Sequence, residues 1–380
     1  TSTNSSIGLI YALKKILKNY CISLKTSPMN DDNKKFTENL KKILIQSSKE
    51  NNSFTAGNYW KFYEKSILRQ VKNNDISKFR SWQGGAGIGN IQSFGGGSEF
   101  KGRNFLRHFH PLDKEFNFLD NSFIVKKYNS LINKLLPYFP FLKFILFRAS
   151  ELKIYYTNLR AQKIKEKYNL IKLLDKDLLN ISDSKFGLNS DEFITIEDKI
   201  YTDRFLNDLF KINFVKENTD FNSIDSIVEL GAGIGLLASA FLKLKKKLKY
   251  LIVDIPPALC FSSYFLKNLG FKVFDFEDLH KLDSREKINL KDIYQTYDVV
   301  CLPTWMLNRL GDYKFDLFVN VASFQEMEKE QVYNYLSIFE KHLKKYIFLC
   351  YVIKEKKKAT SKGSFGVLEP LDLDQIEDYL

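Results

Sequence analysis

An α/β fold, in which a parallel sheet with helices on both faces follows a mainly helical N-terminal domain, is what this sequence predicts. Three observations carry the prediction. From about residue 225 onward, short β-branched and leucine runs alternate with helical apolar patterns. A glycine turn, Gly231 to Gly235, joins the first of these runs directly to a helix pattern. Residues 1 to about 80, in contrast, show only helical spacing. Continuously apolar strands in successive βα units are buried on both faces, which is the signature of a parallel sheet.

The 380 residues suit two units, with a mainly helical N-terminal domain over 1–185 and an α/β domain over 186–380. The stretch Asn180 to Asp191, rich in Ser, Asn and Asp around Gly187, reads as the linker between them. Cys21, Cys260, Cys301 and Cys350 are far apart and form no C-x-x-C pair, so neither a metal site nor a disulfide framework is expected. No signal peptide is visible, and a reduced, cytoplasmic setting is the expectation. A net charge of +13 attracts polyanions, but a lysine-rich background gives the same charge without a nucleic-acid partner, which is not expected here.

In chain order, Ile7, Ile10, Leu13, Ile16 and Leu17 form one helical stripe, and Trp60 to Val71 carry a second. The texture then changes at Trp82 to Asp113, where glycines cluster between Gly84 and Gly97. No apolar strand leads into this run and no helix pattern leads out, so it lacks the flanks of a phosphate-binding turn and reads either as a lid or acceptor-binding loop or as a long surface turn. His108 and His110 follow, placed on one face of a strand if the segment is extended, and imidazole is the side chain suited to exchange a proton near neutral pH. Residues 123–172 are helical, aromatic and strongly basic, a candidate contact for an acidic glycan or an anionic membrane surface. Leu131 to Phe147, the most apolar part, is interrupted by Lys134, Pro137, Pro140 and Lys143 and is not expected to span a bilayer.

A helix over Tyr201 to Lys211 leads into the α/β unit. Strand Ser226–Leu230 precedes the glycine turn and its helix; a strand ending at Asp254 precedes a second helix; strands from Asp298 and from Phe315 follow; then come a helix over Glu328 to Leu343 and a last strand from Tyr346. Ligands bind such sheets at the carboxyl ends of the strands. There the turn reads E-x-G-x-G-x-G, from Glu229 through Gly231, Ala232 and Gly233 to Gly235, with Leu236 where a dinucleotide fingerprint needs its third glycine. Asp254 stands where a carboxylate accepts both hydroxyls of a ribose. Pro303, Thr304, Asn320 and Val321 end the neighbouring strands and are expected to frame a base.

The segments VELGAGIGLLA, VDIPPALCFSSYFL and FDLFVNVASFQEM, in this order, resemble the class I S-adenosylmethionine-dependent methyltransferases, most nearly the bacterial sugar O-methyltransferase family. The resemblance covers Asp225 to Ile353, under half of the chain. It implies a Rossmann-like sheet, S-adenosyl-L-methionine as cofactor, Glu229, Gly231, Gly233 and Gly235 at the methionine end, and Asp254 on the ribose. The D-I-P-P of Asp254 to Pro257 is not the D-P-P-Y motif of amino-group methylases, because it follows the second strand and carries an extra Ile.

A hydroxyl acceptor is a weak nucleophile and gains from a base. In SFQEM, Glu326 is the expected base or acceptor-orienting group, with Gln325 beside it; the resemblance implies that this position is where related O-methyltransferases place a catalytic His. His108 or His110 is the alternative source of a base, and no metal site is expected. The function expected is O-methylation of a sugar hydroxyl, with a glycan or small-molecule acceptor and a peripheral association with the membrane. The alternatives are methylation of another small-molecule or peptide natural product, and a glycan- or membrane-binding module with a vestigial cofactor fold.

Overall fold

The computed structural model describes residues 31–50, 54, 57–82, 149–190, 192–282, 286–351 and most of 358–379. The stripe from Ile7, the glycine run Gly84 to Gly97, His108, His110, Leu131 to Phe147 and the first part of the basic segment 123–172 lie outside these residues.

Helices α1 (Asp31–Lys49) and α2 (Asn58–Asn73) open the described chain, and α3 (Ala149–Leu174) follows. A short hairpin, β1 (Ile194–Ile196) and β2 (Lys199–Tyr201), precedes helix α4 (Asp203–Asn218). Then come β3 (Ser226–Leu230), α5 (Leu236–Leu244), β4 (Lys249–Asp254), α6 (Pro256–Asn268), β5 (Val273–Phe274) and the single-turn α7 (Phe276–Leu279). Helix α8 (Leu290–Thr296), β6 (Val299–Pro303), β7 (Phe315–Val321), α9 (Lys329–His342), β8 (Leu343–Cys350) and α10 (Leu373–Glu377) complete it. Six strands form one sheet in the order β5-β6-β4-β3-β7-β8, every pair parallel. This is the expected Rossmann-like α/β sheet, and all five residues of β3 and of β6 are buried, as a sheet covered on both faces requires.

From β3 the chain winds out through β4 towards β6 and β5, then returns to the other side of β3 with β7 and β8. The direction of winding reverses between β3 and β7, and a crevice opens there at the carboxyl ends of the strands. Helix α4 begins two residues later than the sequence pattern places it, because Tyr201 is the last residue of β2 and Thr202 caps the helix, accepting from Phe205 N at 3.1 Å. It also runs on to Asn218.

The N-terminal helices belong to the same core. Phe36 of α1 and Phe79 pack on Phe261 of α6 with ring centroids 4.6 and 5.4 Å apart. Buried Asn33 accepts from Ile76 N (2.8 Å) and donates to the Asn74 carbonyl (2.6 Å), fixing α1 to the end of α2. The expected linker at Asn180 to Asp191 carries a buried ion pair: Arg80 Nη2 meets Asp183 Oδ2 at 2.7 Å, with side chains 3% and 1% exposed. Arg80 also donates from Nη1 to the carbonyls of Ser184 and Phe186, and its guanidinium lies over the Phe265 ring. In the basic segment, Lys167 and Lys163 of α3 pair with Asp203 of α4 at 2.7 and 3.8 Å, so these two charges hold helix to helix. Among the described residues, no helix is long and apolar enough to cross a membrane.

Candidate active site

The site is built from the turn after β3. Gly231, Gly233 and Gly235 have φ of 80°, 62° and 76°, the left-handed region in which a side chain is strained. At Gly231 a Cβ would overlap Ser323, so the turn after β3 and the turn after β7 meet with only a hydrogen between them. Gly231 N is held by the Val253 carbonyl at 2.9 Å, and Gly235 is the N-cap of α5. The turn after β7 is itself strained: Ala322 has φ of 54° and its N–H is fixed to the Cys350 carbonyl at 2.7 Å. A left-handed alanine costs about 1–2 kcal/mol, and here it aims Ser323 at the glycine turn.

A cavity opens over these turns. Of the residues expected from the sequence, Glu229, Gly231, Ala232, Gly233, Asp254, Thr304, Val321 and Glu326 line it. Gly235, Pro303, Asn320 and Gln325 do not. Gly235 lies one step behind, starting α5, and Pro303 pairs in register with Asp254 at the ends of β6 and β4. Buried Asn320, expected at a base, has its amide committed elsewhere: Nδ2 donates to the Leu230 carbonyl (2.9 Å) and Oδ1 accepts from Phe324 N (3.1 Å). It ties the glycine turn to the turn carrying Glu326. Gln325 is only partly buried, one residue away from Glu326. His108 and His110 lie outside the described residues.

Asp254 is buried and accepts from Gly233 N (2.9 Å) on one oxygen and from Ile255 N (2.7 Å) on the other. Each oxygen keeps a lone pair. Burial pushes its carboxyl up to about 7 against the pull of those two N–H groups, and the nearby charge of Glu326 adds to the rise. Glu229 accepts from the Tyr250 hydroxyl at 2.7 Å, and burial raises it to about 8, the Tyr250 bond opposing and Asp208 and Asp254 assisting. At pH 7 Glu229 is thus mostly protonated and Asp254 about half so.

Sequence reasoning missed two walls. One is the polar face of α4, where Arg204, Asp208 and Lys211 line the cavity. In the sequence they belong to the helix leading into the α/β unit and carry no signal of a site; here all three line the cavity that Glu229 also lines. The other wall is apolar and comes from both ends of the described chain: Trp60 of α2, Met327, and Tyr335 of α9. Tyr335 donates to the Phe54 carbonyl at 3.3 Å and packs on the Phe54 ring, which draws the N-terminal segment over the site. Trp60 stands in the sequence only as one apolar position of a helical pattern, with no signal that it faces a cavity.

No protein-family model matches the chain, and no curated protein matches it. Solved structures similar to it include the mitomycin 7-O-methyltransferase, 16% identical over 42% of this chain and 43% of that one, with a TM-score of 0.26. PigF with SAH is 12% identical over 46% and 52%, TM-score 0.27. Coclaurine N-methyltransferase bound to N-methylheliamine and SAH is 11% identical over 56% and 62%, TM-score 0.27. This chain thus spans 43% to 62% of the length of those proteins. The strand order and the glycine turn define the fold, and the residues around the cavity define its chemistry.

Proposed function

We propose that this chain is an S-adenosylmethionine-dependent O-methyltransferase acting on a sugar hydroxyl, of a surface glycan or its precursor. The observation that carries the proposal is the convergence, in one cavity at the carboxyl ends of the strands, of the Cβ-free glycine turn, Asp254 with two unused lone pairs, and Glu326. These residues fit the donor: the turn admits a chain lying against backbone, and Asp254 accepts a pair of vicinal hydroxyls. Bound S-adenosylmethionine supplies an electrophilic methyl group.

The chain's own part is to position and to move one proton. Glu326, buried at the cavity wall, takes the proton of the acceptor hydroxyl as that oxygen becomes a nucleophile. Trp60, only partly buried, lines the cavity with Met327 and Tyr335, and these apolar groups suit the C–H face of a sugar ring and keep water from the reacting oxygen. That apolar lining suits a phenolic ring as well, which is the second reading. Incubation with methyl-tritiated donor and a panel of lipid-linked sugars, nucleotide sugars and phenols separates the two. Label in a base-stable sugar ether supports the proposal, and label confined to phenols replaces it with the second reading. Glu326→Gln is expected to lower kcat by about 10²–10⁴-fold while donor affinity changes less than about 3-fold. Wild-type turnover would remove Glu326 from the chemistry.

The two raised carboxyls give binding a pH dependence with a definite sign. Asp254 accepts both hydroxyls when ionised, and Glu229 faces a ligand of positive charge, so binding lowers both values and releases protons. Donor affinity is therefore expected to rise as pH goes from 6 to 8 and to level off above, with about one proton released near pH 7 in calorimetry run in buffers of different ionisation enthalpy. Proton uptake would reverse the assignment.

A further inference from the structure

Helix α4 presents Arg204, Asp208 and Lys211 to the cavity and packs on α5, the helix that the glycine turn begins. Asp208 and Lys211 satisfy each other at 2.5 Å. Arg204 is different: its Nη1 is buried and makes no hydrogen bond among the described residues. The acids around it are already engaged. Asp183 holds Arg80 at 2.7 Å and the Thr202 hydroxyl at 2.6 Å, Asp203 holds Lys167 at 2.7 Å, and Asp208 holds Lys211. A buried guanidinium N–H without an acceptor is costly, and a cavity beside it is the place from which an acceptor can come.

We infer that Arg204 is the anchor for the carboxylate of the donor's amino-acid end, an inference that rests on the donor reading proposed above. Its location favours the donor over an acidic acceptor sugar: α4 lies against α5, the helix that the glycine turn begins, and its Asp208 and Lys211 lie close to Glu229 at the end of β3. Glu229, close to Asp208 of α4, is the acid suited to the ammonium that neighbours a carboxylate in any α-amino acid. The guanidinium fork matches a carboxylate in a way that a lysine would not.

Calorimetry with S-adenosylmethionine and its decarboxylated analogue, which differ only in the carboxylate, tests this on the wild-type protein and on Arg204→Met. The wild type is expected to prefer the intact donor by about 30-fold, and Arg204→Met to lose about that factor for the intact donor while changing less than about 3-fold for the analogue. Equal wild-type affinity for the two ligands overturns the inference without any variant. So does a variant that weakens both ligands alike, or neither. Loss of binding to galacturonate with donor affinity unchanged assigns the carboxylate to the acceptor and also overturns it. If the wild type binds neither adenosyl ligand, the donor reading itself has failed, and the inference with it.

Discussion

Asp254→Ala is expected to weaken binding of S-adenosylmethionine at pH 8 by about 100-fold or more, because hydrogen bonds to a charged acceptor are each worth about 1.5–3 kcal/mol and two ribose hydroxyls lose theirs. Alanine also leaves the N–H groups of Gly233 and Ile255 without the oxygens they now use, which loosens the glycine turn. Asp254→Asn keeps one acceptor oxygen and is expected to lose about 10-fold. Folding and binding move separately here. The unfolded chain ionises this carboxyl at about pH 4, whereas the folded protein does so at about 7. The folded state therefore binds more protons across that window, and stability falls as pH rises through it and stays level above. At pH 8, Asp254→Asn lacks this burden and is expected to melt at or above the wild-type temperature while binding less. A variant that lost both binding and melting temperature would point to a structural role for Asp254.

Arg80→Met is expected to destabilise the protein by about 3–5 kcal/mol, the usual cost of leaving one partner of a buried ion pair without the other. Asp183 would keep the Thr202 hydroxyl and the Ser184 N–H but lose its only ion pair among the described residues. Thr202 caps α4, so the damage reaches the helix that carries Arg204. The double variant Arg80→Met, Asp183→Asn removes both charges and keeps an acceptor for Thr202. It is expected to recover most of the loss in urea denaturation. A single variant within 1 kcal/mol of wild type would mean that the pair contributes little.

The sheet was legible because buried parallel strands are written as continuous apolar runs and because glycine alone suits the turn after β3. The same reasoning located Asp254, which ends its strand where the crevice opens. Other features left no local mark. Strand β5 is two residues long and exists by pairing with β6. The β1–β2 hairpin turns through Glu197 and Asp198, both at positive φ, where a readable hairpin would carry Asn-Gly. Arg80 and Asp183 are a hundred residues apart, and neither position announces the other. The α4 face left no mark for another reason: a polar stripe on an amphipathic helix looks the same whether it meets water or a cavity, and only the packing of α4 against α5 decides. The side-chain amide of Asn320 joins the two turns, a link between distant segments that no local pattern marks.

The cavity over Gly231, Asp254 and Glu326 is the proposed seat of the methyl donor. Calorimetric titration of the wild-type protein at pH 8 with S-adenosylmethionine, S-adenosylhomocysteine and NAD tests it most directly. Saturable binding of one equivalent of each of the first two and no heat with NAD is the expected result. Binding of NAD alone, or saturation by none of the three, would contradict it.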